Sequence, residues 1–225
     1  VVALGTKLAA LECIRSGVTS VSDMYYYTIE VASSVAQAGL RGWIGQAMMG
    51  IPCPDSKNLK GCFANVEMLV EKFQNHALIT PIAAPHSVYL DDLETLKNIS
   101  SFIRANKLFT HIHVAESQGE LKLVAEKYGG MSPVQVLEKA GFTDLPMLWA
   151  HGIWFSEDDF KRMQNFKQIG IIHNPECNMK LSSGVAPLRR FKTLGIPFGL
   201  VTDGSASNNN LDLLCEMDSA VKLQR

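Results

Sequence analysis

One feature restricts the fold of this chain more than any other. Short, nearly continuous apolar runs alternate with amphipathic segments from end to end, and most of the runs stop at a polar residue. Runs of this kind read as strands covered on both faces, and strands separated by helices pair in parallel. Strands are expected at Val18–Tyr25, Leu40–Met49, Leu78–Ala84, His111–Ala115, Pro146–Ala150, Ile171–His173 and Phe198–Thr202. Helices are expected at Leu4–Ser16, Thr28–Ala38, Ala64–Asn75, Asp91–Lys107, Glu120–Tyr128, Ser132–Ala140, Glu157–Gln168, Val185–Leu194 and Leu211–Leu223. Leu4, Leu8, Leu11 and Ile14 share one face of the first helix. Gly17 and Gly39 are suited to close helices. Thr28, Asp91 and Ser156 are candidate N-caps, the last supported by Asp159, and Pro133 fits a first turn.

The polar residues that follow the strands are Asp23, His86, His113 with Glu116, His151, His173 with Asn174, and Asp203. An open doubly wound sheet would concentrate such residues at one switch point. Their spread over nearly every strand end suits a closed (β/α)8 barrel of the TIM type, whose site is assembled from all the strand ends. Seven strands are read where eight are needed, and a helix comes first. The expectation is therefore that a first strand lies outside this sequence, and that both ends, including Lys222–Arg225, are cut from a longer protein.

Within this pattern the run His111-Ile-His-Val-Ala-Glu116 carries the most chemistry. His111 and His113 fall on one face of a strand, and Glu116 joins them only if the strand breaks near Ala115. Two histidines on a strand are equally consistent with ordinary packed residues. Other positions have simpler readings. Asp23 is expected to bond backbone, His76 to be a solvated cation at a helix end, and Asn208–Asn210 to form a turn. His173 either orients Asn174 or caps its strand. Asn178, Lys180 and Ser182–Gly184 either bind substrate or shape a loop, and Cys177 reads as a bystander. The sequon at Asn98 lies inside an expected helix and is discounted.

Composition narrows the function classes. Apolar residues make up 47% of the 225, enough for a large core, and the net charge of −1 gives no electrostatic case for nucleic acid or an anionic membrane. No apolar run reaches the roughly 18–20 residues that span a bilayer, and Val1–Gly5 lacks the basic start of a signal peptide. Five cysteines without a CxxC pair suggest a reducing compartment, so a cytoplasmic protein is expected.

Four ordered strings then carry a resemblance: Thr110–Ser117, Ala150–Gly152, His173–Pro187 and Thr202–Asn209, with Gly17–Met24 and Ala84–Ser87 in accord. Together they resemble the amidohydrolase superfamily, its deaminase and chlorohydrolase branch, and best the methylthioadenosine/S-adenosylhomocysteine deaminases. The resemblance implies that residues 1–225 supply strands two to eight of a metal-dependent hydrolase barrel, with the first strand and flanking β-sandwich segments elsewhere. It implies His113 and Asp203 as ligands of one divalent metal, zinc first and iron(II) second. It implies Glu116 as proton shuttle, His151 as the residue orienting water or leaving group, Asp203 also as base, and His86 as a substrate contact. Substrate-facing residues would then be His86, Glu116 and His151, while His111 has no required role.

The chemistry agrees with these residue types. Replacing an aromatic amine by oxygen needs hydroxide at neutral pH, and a divalent metal lowers the pKa of the water it binds to about 7. A carboxylic acid must protonate the ring nitrogen, and a second carboxylate must take the proton of the water. In the family the first strand supplies two further ligands through an HxH pair, so this stretch alone is expected to bind metal poorly and to be inactive. The loop Met49–Gly61 offers Lys57 and Lys60 but no arginine for an amino-acid carboxylate, which favours an uncharged tail such as that of methylthioadenosine. The alternatives are a guanine- or triazine-type deaminase or chlorohydrolase, and a non-catalytic barrel kept as an interaction module. The expected partner is a small molecule, with no nucleic acid polymer and no membrane; a homo-oligomer is left open.

Overall fold

In the computed structural model, which describes residues 1–224, seven strands form a single curled parallel sheet in the order β1-β2-β3-β4-β5-β6-β7. The strands are β1 Ser20–Tyr25, β2 Arg41–Met48, β3 Ile79–Pro85, β4 Thr110–Val114, β5 Pro146–His151, β6 Gln168–His173 and β7 Phe198–Leu200. The helices before β4 are α1 Val2–Arg15, α2 Thr28–Gln37, α3 Leu59–Phe73 and α4 Leu93–Ala105. After it come α5 Gln118–Lys127, α6 Pro133–Lys139, α7 Glu157–Met163, α8 Pro175–Lys180, α9 Leu188–Thr193 and α10 Leu213–Leu223. At least one helix separates each consecutive pair of strands, as parallel pairing requires.

Register places the core. Ile112 on β4 pairs with Trp149 on β5, both are fully buried, and Trp149 meets Phe166 edge-on at 5.1 Å. Ile112 and Val114 belong to the apolar layer between sheet and helices, together with Leu96, Ile99 and Ile103 of α4. The pleat then sends His111 and His113 to the opposite face. His111 there meets Ser22 of β1, at 2.9 Å between Nδ1 and Oγ. Burying a side chain the size of Ile112 contributes roughly 1.5–3 kcal/mol, so the alternation of β4 fixes which residues face the interior.

The strand series is as expected, but several boundaries move. Leu4, Leu8, Leu11 and Ile14 do share a face of α1, yet it is the exposed one, from 74% at Leu4 to 47% at Ile14. The packed side is Ala10 and Cys13 against Val31 and Val35, because small residues let α1 approach α2. The cap of α2 is Tyr27, in the left-handed region at φ 55°, rather than Thr28. Its N–H is taken by the Asp55 carboxylate at 2.6 Å. α3 starts at Leu59 because Asn58 caps it, and α4 is capped by Asp92. Asp91 accepts from Gly50 N–H at 2.5 Å instead.

α5 starts at Gln118, with Ser117 as cap. α7 ends at Met163, and Gln168 opens β6 rather than closing a helix. Asp212 caps α10, and α9 is confined to Leu188–Thr193. α8 is a helix that the sequence reading did not contain. Pro133 and the Ser156–Asp159 capping box are as expected. Arg225, the last residue of the charged tail, lies outside the described residues.

Candidate metal centre and active site

Three strand ends turn by the same device. Ala115, His151 and Asp203 follow or end β4, β5 and β7 with φ of 55°, 71° and 68°, a left-handed backbone that non-glycine residues seldom adopt. At Ala115 this turn breaks the strand alternation and brings Glu116 back toward the interior. Its geometry is held by Glu120, whose carboxylate accepts from Ala115 N–H at 3.1 Å and Glu116 N–H at 2.7 Å. Burial outweighs these two bonds and pushes Glu120 up to about 7. The turn after His151 is tied to the first one: Ile153 and Trp154 both donate to the Ala115 carbonyl, at 2.9 and 3.0 Å.

These turns converge on His151. Its Nε2 lies 3.9 Å from Glu116 Oε2 and 3.9 Å from Asp203 Oδ2. Both separations are too long for direct hydrogen bonds and suit a bridging atom or water. The Nδ1 of His151 donates to the Asn178 amide oxygen at 2.9 Å, which fixes the ring with Nε2 toward the two carboxylates. The amide nitrogen of Asn178 is 3.4 Å from His173 Nδ1, at the limit of a hydrogen bond. His173 is wholly buried, and burial first, then His151, lowers it to about 4.

His113 stacks beside His151 at 5.5 Å between ring centres. Its Nδ1 donates to the His86 carbonyl at 2.8 Å, leaving Nε2 as the unprotonated nitrogen. Burial, then His151, holds its pKa below the usual imidazole value, so the ring is neutral as a metal ligand requires. His86 follows β3 with its ring 4.7 Å from that of His113, and burial lowers it to about 4. Asp203 accepts from Gly204 N–H through Oδ1, and from Cys177 Sγ at 3.0 Å through Oδ2. Burial and the adjacent carboxylate raise the Cys177 pKa, so the thiol is protonated and donates. Cys177 is thus a hydrogen-bonding neighbour of Asp203, and its raised pKa agrees with the unreactive thiol expected from the sequence.

All the sequence-derived site residues reach this end of the sheet. His86, His113, Glu116, His151 and Asp203 form one chain of close neighbours. The cluster of three potential ligands that the fold gathers includes Asp203 but not His113. Among the described residues, ligand atoms of His151, Cys177 and Asp203 lie within 4.8 Å of one another. Zinc takes imidazole and carboxylate directly but sulfur only as thiolate, so the protonated Cys177 would have to lose its proton to join such a set. His111 lies apart on Ser22, its Nε2 without a partner and its pKa lowered to about 3 by burial. The Asp23 carboxyl bonds the Tyr25 backbone and rises to about 6 through burial, with Oδ1 unpartnered. His76 is exposed after α3, and its Nδ1 accepts from Leu78 and Ile79 N–H at 3.1 and 3.3 Å, which ties down the loop leading to β3.

One positioning residue went unread in the sequence, and a second was left open. Glu120 had a visible signal, since Ser117-x-x-Glu120 is a capping-box pattern. In the fold Ser117 does cap Glu120 N–H, while the Glu120 carboxylate serves the preceding turn. Asn178 was left between substrate binding and loop shape, and its partner His151 lies 27 residues away.

A parallel sheet of this order, with histidines and carboxylates gathered at one set of strand ends, is the architecture of a metal-dependent hydrolase barrel. The chain belongs to the amidohydrolase family, whose sequence model matches residues 1–225. It is 40% identical over 227 residues to a 5-methylthioadenosine/S-adenosylhomocysteine deaminase of Thermococcus kodakarensis, covering 100% of this chain and 52% of the relative. A protein of that name from Thermodesulfovibrio yellowstonii is 35% identical over 221 residues, covering 98% and 50%. An adenosine deaminase structure from Xanthomonas campestris with bound zinc superposes with a TM-score of 0.94 at 26% identity, over 99% of this chain and 50% of that one. The chain thus spans about half the length of the relatives it matches. Among the described residues no helix is long and apolar enough to cross a membrane.

Proposed function

We propose that the complete protein is a metal-dependent hydrolytic deaminase of an aminopurine nucleoside. It converts 5'-methylthioadenosine, S-adenosylhomocysteine or both to the inosyl product and ammonia. The observation that carries this reading is His151 Nε2 placed 3.9 Å from each of two carboxylates, Glu116 and Asp203. The names of the relatives at 35–40% identity support the substrate class.

His113 Nε2 and Asp203 would hold the ion, zinc or iron(II), together with ligands from a segment outside this chain. A divalent ion there supplies a nucleophile at neutral pH by lowering the pKa of water. Glu116, turned inward by Ala115, protonates the ring nitrogen as the amino-bearing carbon is attacked. Asp203 takes the proton of the attacking water and passes it to the departing ammonia. His151, its Nδ1 committed to Asn178, accepts a hydrogen bond from that water through Nε2. His86, with a ring kept neutral, contacts the sugar or the exocyclic portion of the substrate. Residues 1–225 act in this reading as strands two to eight of one barrel, in a cytoplasmic protein whose partner is a small molecule. The five free cysteines support a reducing compartment.

Lys57 in the loop before α3 and Lys60 in its first turn are both exposed, which supports the uncharged tail of methylthioadenosine over a zwitterionic one. Ammonia release from methylthioadenosine, S-adenosylhomocysteine, adenosine and guanine tests the reading. Turnover is expected with the first two, and release from guanine alone overturns it.

A further inference from the structure

Glu216 of α10 is wholly buried, and no cation pairs with it among the described residues. A carboxylate in such a place is costly unless its oxygens are occupied. Both are. Oε1 accepts from the Asn208 amide at 2.6 Å, and Oε2 accepts from Glu176 N–H, in the first turn of α8, at 3.0 Å. The same Asn208 amide donates to the Thr202 carbonyl at 2.7 Å, immediately before Asp203. The Glu176 side chain closes the ring, accepting from Ser219 of α10 at 3.0 Å and from Asn210 at 3.3 Å. α8 and the loop 202–210 are therefore hung from α10 as one unit. That unit delivers Asp203 to the site, Cys177 to Asp203, and Asn178 to His151.

We propose that Glu216 is a positioning residue for the candidate metal centre: through Asn208 and the Glu176 amide it sets the placement of Asp203 and of the Asn178–His151 pair together. The inference rests on the deaminase reading only for its kinetic arm. Supporting residues around metal ligands change metal affinity or activity by about 10–100-fold when altered. Glu216→Gln keeps the shape but turns an amide donor toward one of two N–H donors, Asn208 or Glu176.

The test uses the complete, metal-loaded protein, with zinc affinity measured by chelator competition and turnover measured per mole of folded protein. Glu216→Gln is expected to loosen zinc about 10-fold or more and to lower kcat similarly with KM nearly unchanged. Glu12→Gln, which keeps an oxygen for its one N–H partner, Leu211, at the outer end of the same loop, is expected to leave both unchanged. A purely structural role would lower the melting temperature while zinc affinity and kcat of the folded protein stayed at wild-type values, and that result overturns the proposal. If Glu216→Gln does not fold, Ser219→Ala decides: a several-fold loss of zinc affinity supports the proposal, and wild-type affinity overturns it. Wild-type protein that binds zinc but deaminates no nucleoside would refute the deaminase reading while leaving the affinity comparison decisive.

Discussion

Replacing Glu120 by glutamine tests the turn that aims Glu116. The carboxylate is 4% exposed and accepts two backbone N–H groups, yet burial raises it to about 7 from an ordinary 4.5. At about 1.36 kcal/mol per pH unit, that displacement corresponds to on the order of 3 kcal/mol. The sign follows from the raised value: this stability is fully present below pH 4.5 and is lost as pH rises through about 7. Glu120→Gln cannot titrate, so the variant should gain on the wild type by about that amount between those two pH values. Groups common to both proteins cancel in the difference. The variant keeps one acceptor for two N–H groups and leaves the other facing its own amide nitrogen, which costs about 1–3 kcal/mol at every pH. Urea midpoints across pH 4–8 give the stability difference, and ammonia release gives turnover, expected to fall at least 10-fold as Glu116 loses its fixed position. A pH-independent difference would refute the burial argument, and full turnover would refute the role of the clip.

Three further outcomes are expected. Glu116→Gln in the complete protein should retain its metal by elemental analysis and lose turnover by about 10²–10⁴, the usual contribution of a positioned acid; full activity would discard the proposed proton path. Asp23→Asn should stabilise the protein above pH 6 by on the order of 3 kcal/mol, since burial lifts this carboxyl from 3.8 to about 6, and the gain should vanish below pH 3.8 in urea titrations. Asn178→Ala frees His151 Nδ1 and should cost about 10–100-fold in kcat with little loss of folding stability.

What was legible in the sequence is what short-range periodicity encodes. The apolar runs placed all seven strands, and the polar residues at their ends marked candidate positions; the choice of His86, His113, Glu116, His151 and Asp203 among them came from the resemblance. Even the break at Ala115 could be required in advance from the position of Glu116. The supports were not legible, for a physical reason. Glu216 reaches Asn208 and the Glu176 amide only after α8 and α10 have packed together, and α8 is too short at six residues to show a helical period. Cys177 had no visible partner, since Asp203 lies 26 residues along the chain. The exposed leucine face of α1 shows the converse, a regular period that says nothing about which side is covered.

The three left-handed strand ends carry an evolutionary consequence. Each non-glycine residue held at positive φ costs roughly 1–3 kcal/mol that the surrounding fold must offset. A population selected for heat resistance alone would therefore find Ala115→Gly readily, because glycine relieves that conformation. The same substitution loosens the angle at which Glu116 enters. Thermal tolerance and turnover should therefore trade against each other at this one backbone position.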